Sequence, residues 1–329
     1  MSPSITRVPA RNPRRRRRSR LAVAASLLVV FAGVGWLADL GWNAIFKKHV
    51  TVTTECLAIG PAEVYSMQPD QLLNASKIAD VAMRRNLPQR ALIIAIATAQ
   101  QESKLQNLNY GDADSVGLFQ QRPSQGWGTK TQILDPAYAA GKFFDALLKV
   151  PNWQELPVTK AASDVQKNAY PDAYKDWEPR ATALTGALTG TTSGQLTCRL
   201  LHSGVLAAAA STSPSAASVA AADLLAGSTS AVVNGLQHDL DINHPSVVPV
   251  DSKRTTITLS GLGDIGSGDD AAAKHRTGTV AAWAIAHAAA DGITSVVVGD
   301  QEWRPDRAGW HAATNPAPTG SVVVTVGLG

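Results

Sequence analysis

Apolar residues recur at spacings near three and four from about Asp70 onward, at Leu72, Leu73, Ile78, Ala79, Val81 and Ala82, which predicts an amphipathic helix. The run breaks at Asn86-Leu87-Pro88. Pro88 then opens a second helix, because proline suits the first helical position, and residues 91–99 are apolar around most of the circumference. Such a helix must be buried on several sides. Residues 105–127 are rich in Gly, Asn, Asp, Ser and Pro, and so read as an ordered but irregular connection. Helical patterns resume at Asp135-Pro136, running to about Val150, and again over 159–170 and 171–188. Between about 202 and 248 the composition shifts to Ala, Ser, Thr and Gly, the signature of a flexible linker. Beyond it, residues 255–259, 295–298 and 321–326 are β-branched and alternating or continuously apolar, while 271–290 looks helical. The expected fold class is therefore mainly α, closed by a linker and a small α+β module.

Ahead of these elements, residues 21–46 are almost continuously apolar with Asp39 the one charge, long enough to cross a bilayer. Eight arginines precede this stretch (Arg7, Arg11, residues 14–18 and Arg20) and only Lys47 and Lys48 follow it. That asymmetry predicts an N-terminal transmembrane helix with its N-terminus cytoplasmic and the bulk of the chain extracytoplasmic. Trp36 and Trp42 suit the outer interface. A cleaved signal peptide would have a shorter apolar core followed by a small-x-small site, so a retained single-pass anchor in the lipid bilayer is the expectation. The net charge of +4 does not indicate a nucleic-acid partner, since removing the arginine tail leaves 22 basic against 26 acidic residues.

The two cysteines, Cys56 and Cys198, lie beyond the span, where oxidation is permitted, and read as a disulfide pair, with two buried free thiols as the alternative. They lack the paired spacing of a zinc site. The stretch that carries chemistry is 97–128, which places Glu102 where a buried helix ends against a polar loop. Glu102 shares its helix face with Ala91, Ala95, Thr98 and Ala99, small residues that let a ligand approach. The last turn of a helix disfavours an anion, so the neutral, proton-donating form of this carboxyl is expected to be favoured there. Glycoside cleavage needs such an acid. A solvated glutamate paired with Lys104 is the competing reading.

These residues resemble the lysozyme-like fold of soluble lytic transglycosylases, in the form found in actinobacterial cell-envelope proteins, over roughly residues 67–188. Glu102-Ser103 matches the family's Glu-Ser pair, Gly117-Leu118-Phe119-Gln120 its Gly-Leu-Met-Gln string with Phe for Met, and Asp135-Pro136 its third element. The run Gln120-Gln121-Arg122-Pro123-Ser124-Gln125-Gly126-Trp127 extends the match. The family's later Ala-Tyr-Asn signature is replaced here by Asn168-Ala169-Tyr170-Pro171. The resemblance implies a membrane-anchored enzyme that cuts the glycan strand of peptidoglycan, a lytic transglycosylase or muramidase, with Glu102 as general acid and then base. No cofactor and no metal are implied. A second carboxylate is dispensable when the substrate's N-acetyl group supplies the nucleophile; otherwise Asp112 or Asp114 would provide it. Ser103, Gln120, Gln121, Tyr110, Trp127, Tyr138 and Tyr170 are the expected substrate-binding residues, with Tyr174 a further aromatic candidate. The alternative is a catalytically inactive glycan-binding or scaffold module.

The organisation read from the chain is a basic tail (1–20), an anchor (21–46), a connector (47–66), an α-helical lysozyme-like domain (67–200), a linker (201–250) and the α+β module (251–329). The module's Trp283, His287, Trp303 and Trp310 are loosely similar to a small domain appended to other actinobacterial wall proteins, which names no partner for it. His238 and His244 flank an acidic segment without a helical His-Glu-x-x-His arrangement, so a solvated loop is expected there.

Overall fold

A computed structural model describes residues 55–167, 171–190, 196–199, 214–262, 270–307 and 309–328. The expected membrane span at 21–46 lies outside them; among the described residues no helix is long and apolar enough to cross a membrane. The first helix, α1 (Pro69–Arg84), starts where the Gln71 side chain accepts from the Gln68 amide at 2.7 Å, and it buries Leu72, Ala75, Ile78 and Ala79 completely. It stops at Asn86, whose φ of 51° leaves the helical region, ahead of Pro88. Next comes α2 (Gln89–Ser103), with Ala91, Leu92, Ile94, Ala95, Ile96, Ala97, Thr98, Ala99 and Gln100 all buried, as a helix apolar on every side requires. The short α3 (Lys130–Ile133) packs on α4 (Pro136–Leu147), and around the buried helix lie α4, α5 (Val158–Gln166) and α6 (Glu178–Leu188), with a 3-10 helix at Pro171–Trp177.

The expectation of a mainly α chain is corrected by two antiparallel sheets: 48% of the structure is helix and 20% strand. The first sheet joins β1 (Glu55–Ile59), β2 (Val64–Met67) and β3 (Leu196–Arg199) in the order β2-β1-β3. Cys56 stands directly opposite Cys198 in the β1–β3 register, and the two form the disulfide. These strands are too short to show a period, and the β1–β3 pairing joins residues more than a hundred positions apart.

The flexible linker is the second correction. Where it was expected, residues Pro214–Leu240 form a long helix, α7, and Ser246–Asp251 form a strand, β4. Alanine is the best helix former, and the sparse apolar residues Val232, Leu236 and Leu240 fall four apart, on one face, and are fully buried. Gly235 allows the close approach: a Cβ there would sit 2.6 Å from the Trp283 ring. Strand β4 opens a six-stranded antiparallel sheet with β5 (Arg254–Leu259), β6 (Ile293–Val298), β7 (Gln301–Trp303), β8 (Trp310–Ala312) and β9 (Val322–Gly327), ordered β4-β5-β9-β6-β7-β8. Ile257, Leu259, Val296, Val322, Val324 and Val326 alternate onto its buried face.

The helix α8 (Asp270–Asp291) joins this sheet to the helical region, so that the described residues form one compact unit. Gly278 brings α8 onto the end of α6, where a Cβ would meet the Leu188 carbonyl at 2.7 Å, and the Thr279 hydroxyl donates to that same carbonyl at 2.9 Å. Polar contacts complete the junction. Asp80 on α1, with a fully buried side chain, pairs with Arg84 at 2.7 Å and Arg276 at 3.4 Å, and Lys77 pairs with Asp239 on α7 at 2.7 Å. Burial raises the Asp80 pKa, while Arg84 and Arg276 pull it down.

Candidate active site

Glu102 sits in the last turn of α2, half-buried, and its placement depends on how that helix ends. Lys104 and Leu105 both have positive φ, 57° and 59°, so two successive non-glycine residues hold left-handed backbone immediately after Glu102-Ser103. Each such residue costs about 1–2 kcal/mol, and surrounding contacts must hold it in place. Leu105 is fully buried, and two side chains of α1 take the turn's carbonyls: Gln71 donates to Lys104 O at 2.6 Å and Asn74 to Leu105 O at 2.8 Å.

The loop carrying Gly117-Leu118-Phe119-Gln120 folds back against this helix end. The buried Ser103 hydroxyl lies 2.8 Å from Leu118 O and 3.1 Å from Ala99 O, joining loop to helix. Gly117 has φ 78°, and a Cβ there would stand 2.8 Å from the Ile133 carbonyl, so both conformation and space require glycine. Gln121 is buried; its amide donates to Ala139 O at 3.1 Å, while its Oε1 has no partner. Gln120 turns back on the loop, donating to Gly117 O at 3.2 Å and Tyr110 O at 3.4 Å. Ser103 and Gln121, expected to bind substrate, are thus placed in the framework that shapes the site.

Above the carboxylate lies the 3-10 helix. The fully buried Tyr174 donates its hydroxyl hydrogen to Glu102 Oε1 at 2.8 Å, and Trp177, three residues on, donates from its indole nitrogen to Gln101 Oε1 at 2.7 Å. Lys104 does not pair with Glu102: its ammonium stands over the Trp177 ring, 4.0 Å from the centroid. Burial, then repulsion from Arg180, lowers the Lys104 pKa, and Glu102 acts in the opposite direction. The sequence names Tyr170 among the expected substrate-binding residues, with Tyr174 a further aromatic candidate. Tyr170 lies outside the described residues, and the aromatic that reaches Glu102 is Tyr174. The available signal was the i, i+3 spacing of Tyr174 and Trp177, which places them on one side of a 3-10 turn.

Neither loop aspartate touches Glu102. Asp112 is exposed. Asp114 is held by Arg122 at 2.7 Å and by the Ser124 amide at 2.8 Å, which lowers its pKa to about 2 and commits it to tying the loop. Among the aromatic candidates, Tyr110 is exposed, Trp127 is half-buried against the core, and Tyr138 packs on Gly128 with Lys142 over its ring at 5.5 Å. Asp135 caps α4, accepting from the Ala137 amide at 2.9 Å. Among the described residues no group of three or more His, Cys, Asp or Glu is placed to hold a metal ion. Comparison with protein-family models and with curated proteins gives no match.

Proposed function

We infer that the chain cleaves the glycan strand of peptidoglycan, with Glu102 delivering a proton to the departing glycosidic oxygen and then accepting one. The acceptor role serves either the sugar's own 6-hydroxyl or a water molecule, giving an anhydro or a hydrolysed product. The observation that carries this reading is the position of Glu102: half-buried at the end of a buried helix, one oxygen fixed by Tyr174, and the other with no hydrogen bond to a described residue. A carboxyl fixed at one oxygen presents the other in a defined direction, which general acid catalysis requires. With Asp114 bound to Arg122 and Ser124, the substrate's N-acetyl group is the nucleophile this reading favours. The arginine-flanked apolar stretch at 21–46 supports attachment to the cell membrane, N-terminus inside, with the catalytic region facing the wall.

Replacing Glu102 with Gln keeps shape and hydrogen-bonding capacity but removes the transferable proton. Release of soluble muropeptides from purified sacculi, followed by mass spectrometry, is expected to fall by roughly two to four orders of magnitude with folding intact. Equal release by both proteins would place the active site elsewhere. No release by the unaltered protein, with equal binding of both to sacculi, would leave a glycan-binding module in its place.

A further inference from the structure

Near its C-terminal end α8 carries a histidine with one ring nitrogen engaged and the other unpartnered. His287 Nδ1 lies 2.9 Å from Asp291 Oδ2, one turn further along the helix. A carboxylate can only accept, so Nδ1 carries the ring hydrogen there, and in the neutral ring Nε2 is a bare lone pair. That Nε2 is buried, makes no hydrogen bond with a described residue, and stands 3.8 Å from Asp239 Oδ2 across the junction with α7. Two atoms that can only accept therefore face each other. One proton on Nε2 turns that opposition into an ion pair.

The surroundings favour that proton. Asp239 is held by Lys77 of α1 at 2.7 Å, by His238 at 3.0 Å and by the Trp283 indole N–H at 3.0 Å. Burial works to raise its pKa, but the hydrogen bonds from Lys77, His238 and Trp283 outweigh it and hold the carboxyl below its ordinary value, so it is still an anion in mild acid. With both histidines neutral, the cluster sets the carboxylates of Asp239 and Asp291 against the single ammonium of Lys77, and a cationic His287 restores the balance. The Trp283 ring lies 4.2 Å from the imidazole between centroids, 23° from parallel, and an aromatic face attracts a cation. The other elements on α8 bring no competing charge to this point. Strands β6 and β9 carry no titratable side chain, and β3 brings only the exposed Arg199. Helix α6 meets α8 at Gly278, and Arg276 with its partner Asp80 lies three turns back from His287. His238 is differently placed. Its Nδ1 must also donate to Asp239, so a second proton falls on Nε2, and with a side chain 86% exposed against 22% for His287 that proton meets water.

We propose that His287 is an acid-operated latch, whose imidazolium bridges Asp291 and Asp239 and fastens α8 to the C-terminal end of α7. A charge-assisted N–H···O bond spans about 2.7–2.9 Å, so closing the 3.8 Å gap takes about 1 Å of side-chain movement. Asp239 already holds Lys77, and the closed latch thus joins α1, α7 and α8 at one carboxylate. The bridge exists only with the proton in place. Its stabilisation is therefore full below the ordinary imidazole value of about 6.5, and is lost as pH rises through the range in which the folded ring gives the proton up. The latch belongs to the junction and stands independently of the role given to Glu102.

Thermal unfolding of the full-length protein at about pH 7.5 and about pH 5.5, which bracket the titration of an imidazole, tests the latch when read as a difference from His287→Gln. Carboxylates that titrate in both proteins cancel in that difference. On acidification the unaltered protein is expected to gain about tenfold in its folding equilibrium relative to His287→Gln, the scale of one hydrogen bond to a charged group, or about 3–6 °C in Tm. Asp239→Asn is expected to remove most of that gain and His238→Gln to keep it. A gain of the same size in His287→Gln or Asp239→Asn, or one that disappears in His238→Gln, would overturn the latch. Amide hydrogen exchange of the unaltered protein gives a reading that needs no variant. Corrected for the intrinsic effect of pH, protection over 236–240 and 283–291 is expected to rise about tenfold in acid while that of α2 stays level, and unchanged protection at the junction would overturn the proposal as well.

Discussion

Replacing Arg276 with Met tests whether the six-stranded sheet and its helices are built onto the helical region as one unit. The Arg276 side chain is 11% exposed and faces Asp80, which is fully buried. Breaking a buried ion pair by removing one partner typically costs about 3–5 kcal/mol, because the remaining charge is left uncompensated. Here Arg84 stays at 2.7 Å against 3.4 Å for Arg276, so Asp80 keeps its nearer partner and the lower end applies. Arg276 also donates to the Leu240 carbonyl at 2.8 Å, tying α8 to the end of α7, and that loss adds about 1 kcal/mol. The expected destabilisation is about 4 kcal/mol, or roughly 8–16 °C in Tm for a unit of this size. Urea unfolding and calorimetry of the purified protein measure it, with Asp80→Asn and the double variant closing a cycle. The cycle should show strong coupling. A loss under about 1 kcal/mol, or two separate unfolding transitions in the unaltered protein, would refute the claim of a shared core.

Gly117→Ala combines left-handed strain with a Cβ 2.8 Å from the Ile133 carbonyl, and is expected to destabilise by about 2–3 kcal/mol. Gly126→Ala, at φ 83° with open space around it, should cost only about 1 kcal/mol; equal effects in thermal unfolding would discount the close approach. Replacing both Cys56 and Cys198 with Ser opens a loop of sequence separation 142 and is expected to lower stability by up to about 5 kcal/mol, measured by chemical unfolding under oxidising conditions. The Asp114 carboxyl, held at about 2 by Arg122 and Ser124 against an ordinary 3.8, stabilises the fold above pH 3.8, and this contribution is lost as pH falls through about 2. Carbon-detected NMR titration should find that midpoint and see it move toward 3.8 in Arg122→Gln; an unmoved midpoint would exclude the guanidinium as its cause.

What could be read from the sequence was local. The spacing of Leu72, Ile78 and Ala79 and the all-round apolarity of residues 91–99 are properties of one helix turn after another, and α1 and α2 lie where those patterns place them. The same holds for Glu102, the last carboxylate of a buried run, and for Gly117, a glycine that its loop cannot replace. Elements whose stability comes from distant partners were not legible. The apolar face of α7 is diluted by Ala, Ser and Gly, and becomes a helix face only because Trp283, more than forty residues on, packs against Gly235. Nor could the sequence show that Gln121 and Ser103, read as substrate-binding, also engage carbonyls of the protein itself.

The corrected fold gives the C-terminal residues a mechanical part in the site. One side of α1 holds the strained turn after Glu102, through Gln71 on Lys104 O and Asn74 on Leu105 O. Further along the same helix, Lys77 pairs with Asp239 of α7 and Asp80 with Arg276 of α8. Lys77 is one helical turn from Asn74, so about 4.5 Å of helix separates the contact that braces the turn from the contact that braces α1. Two left-handed residues in sequence persist only while their surroundings over-determine them. The residues expected to form a linker and a separate module thus serve, through α1, to keep the backbone beside Glu102 in a conformation it would not adopt alone.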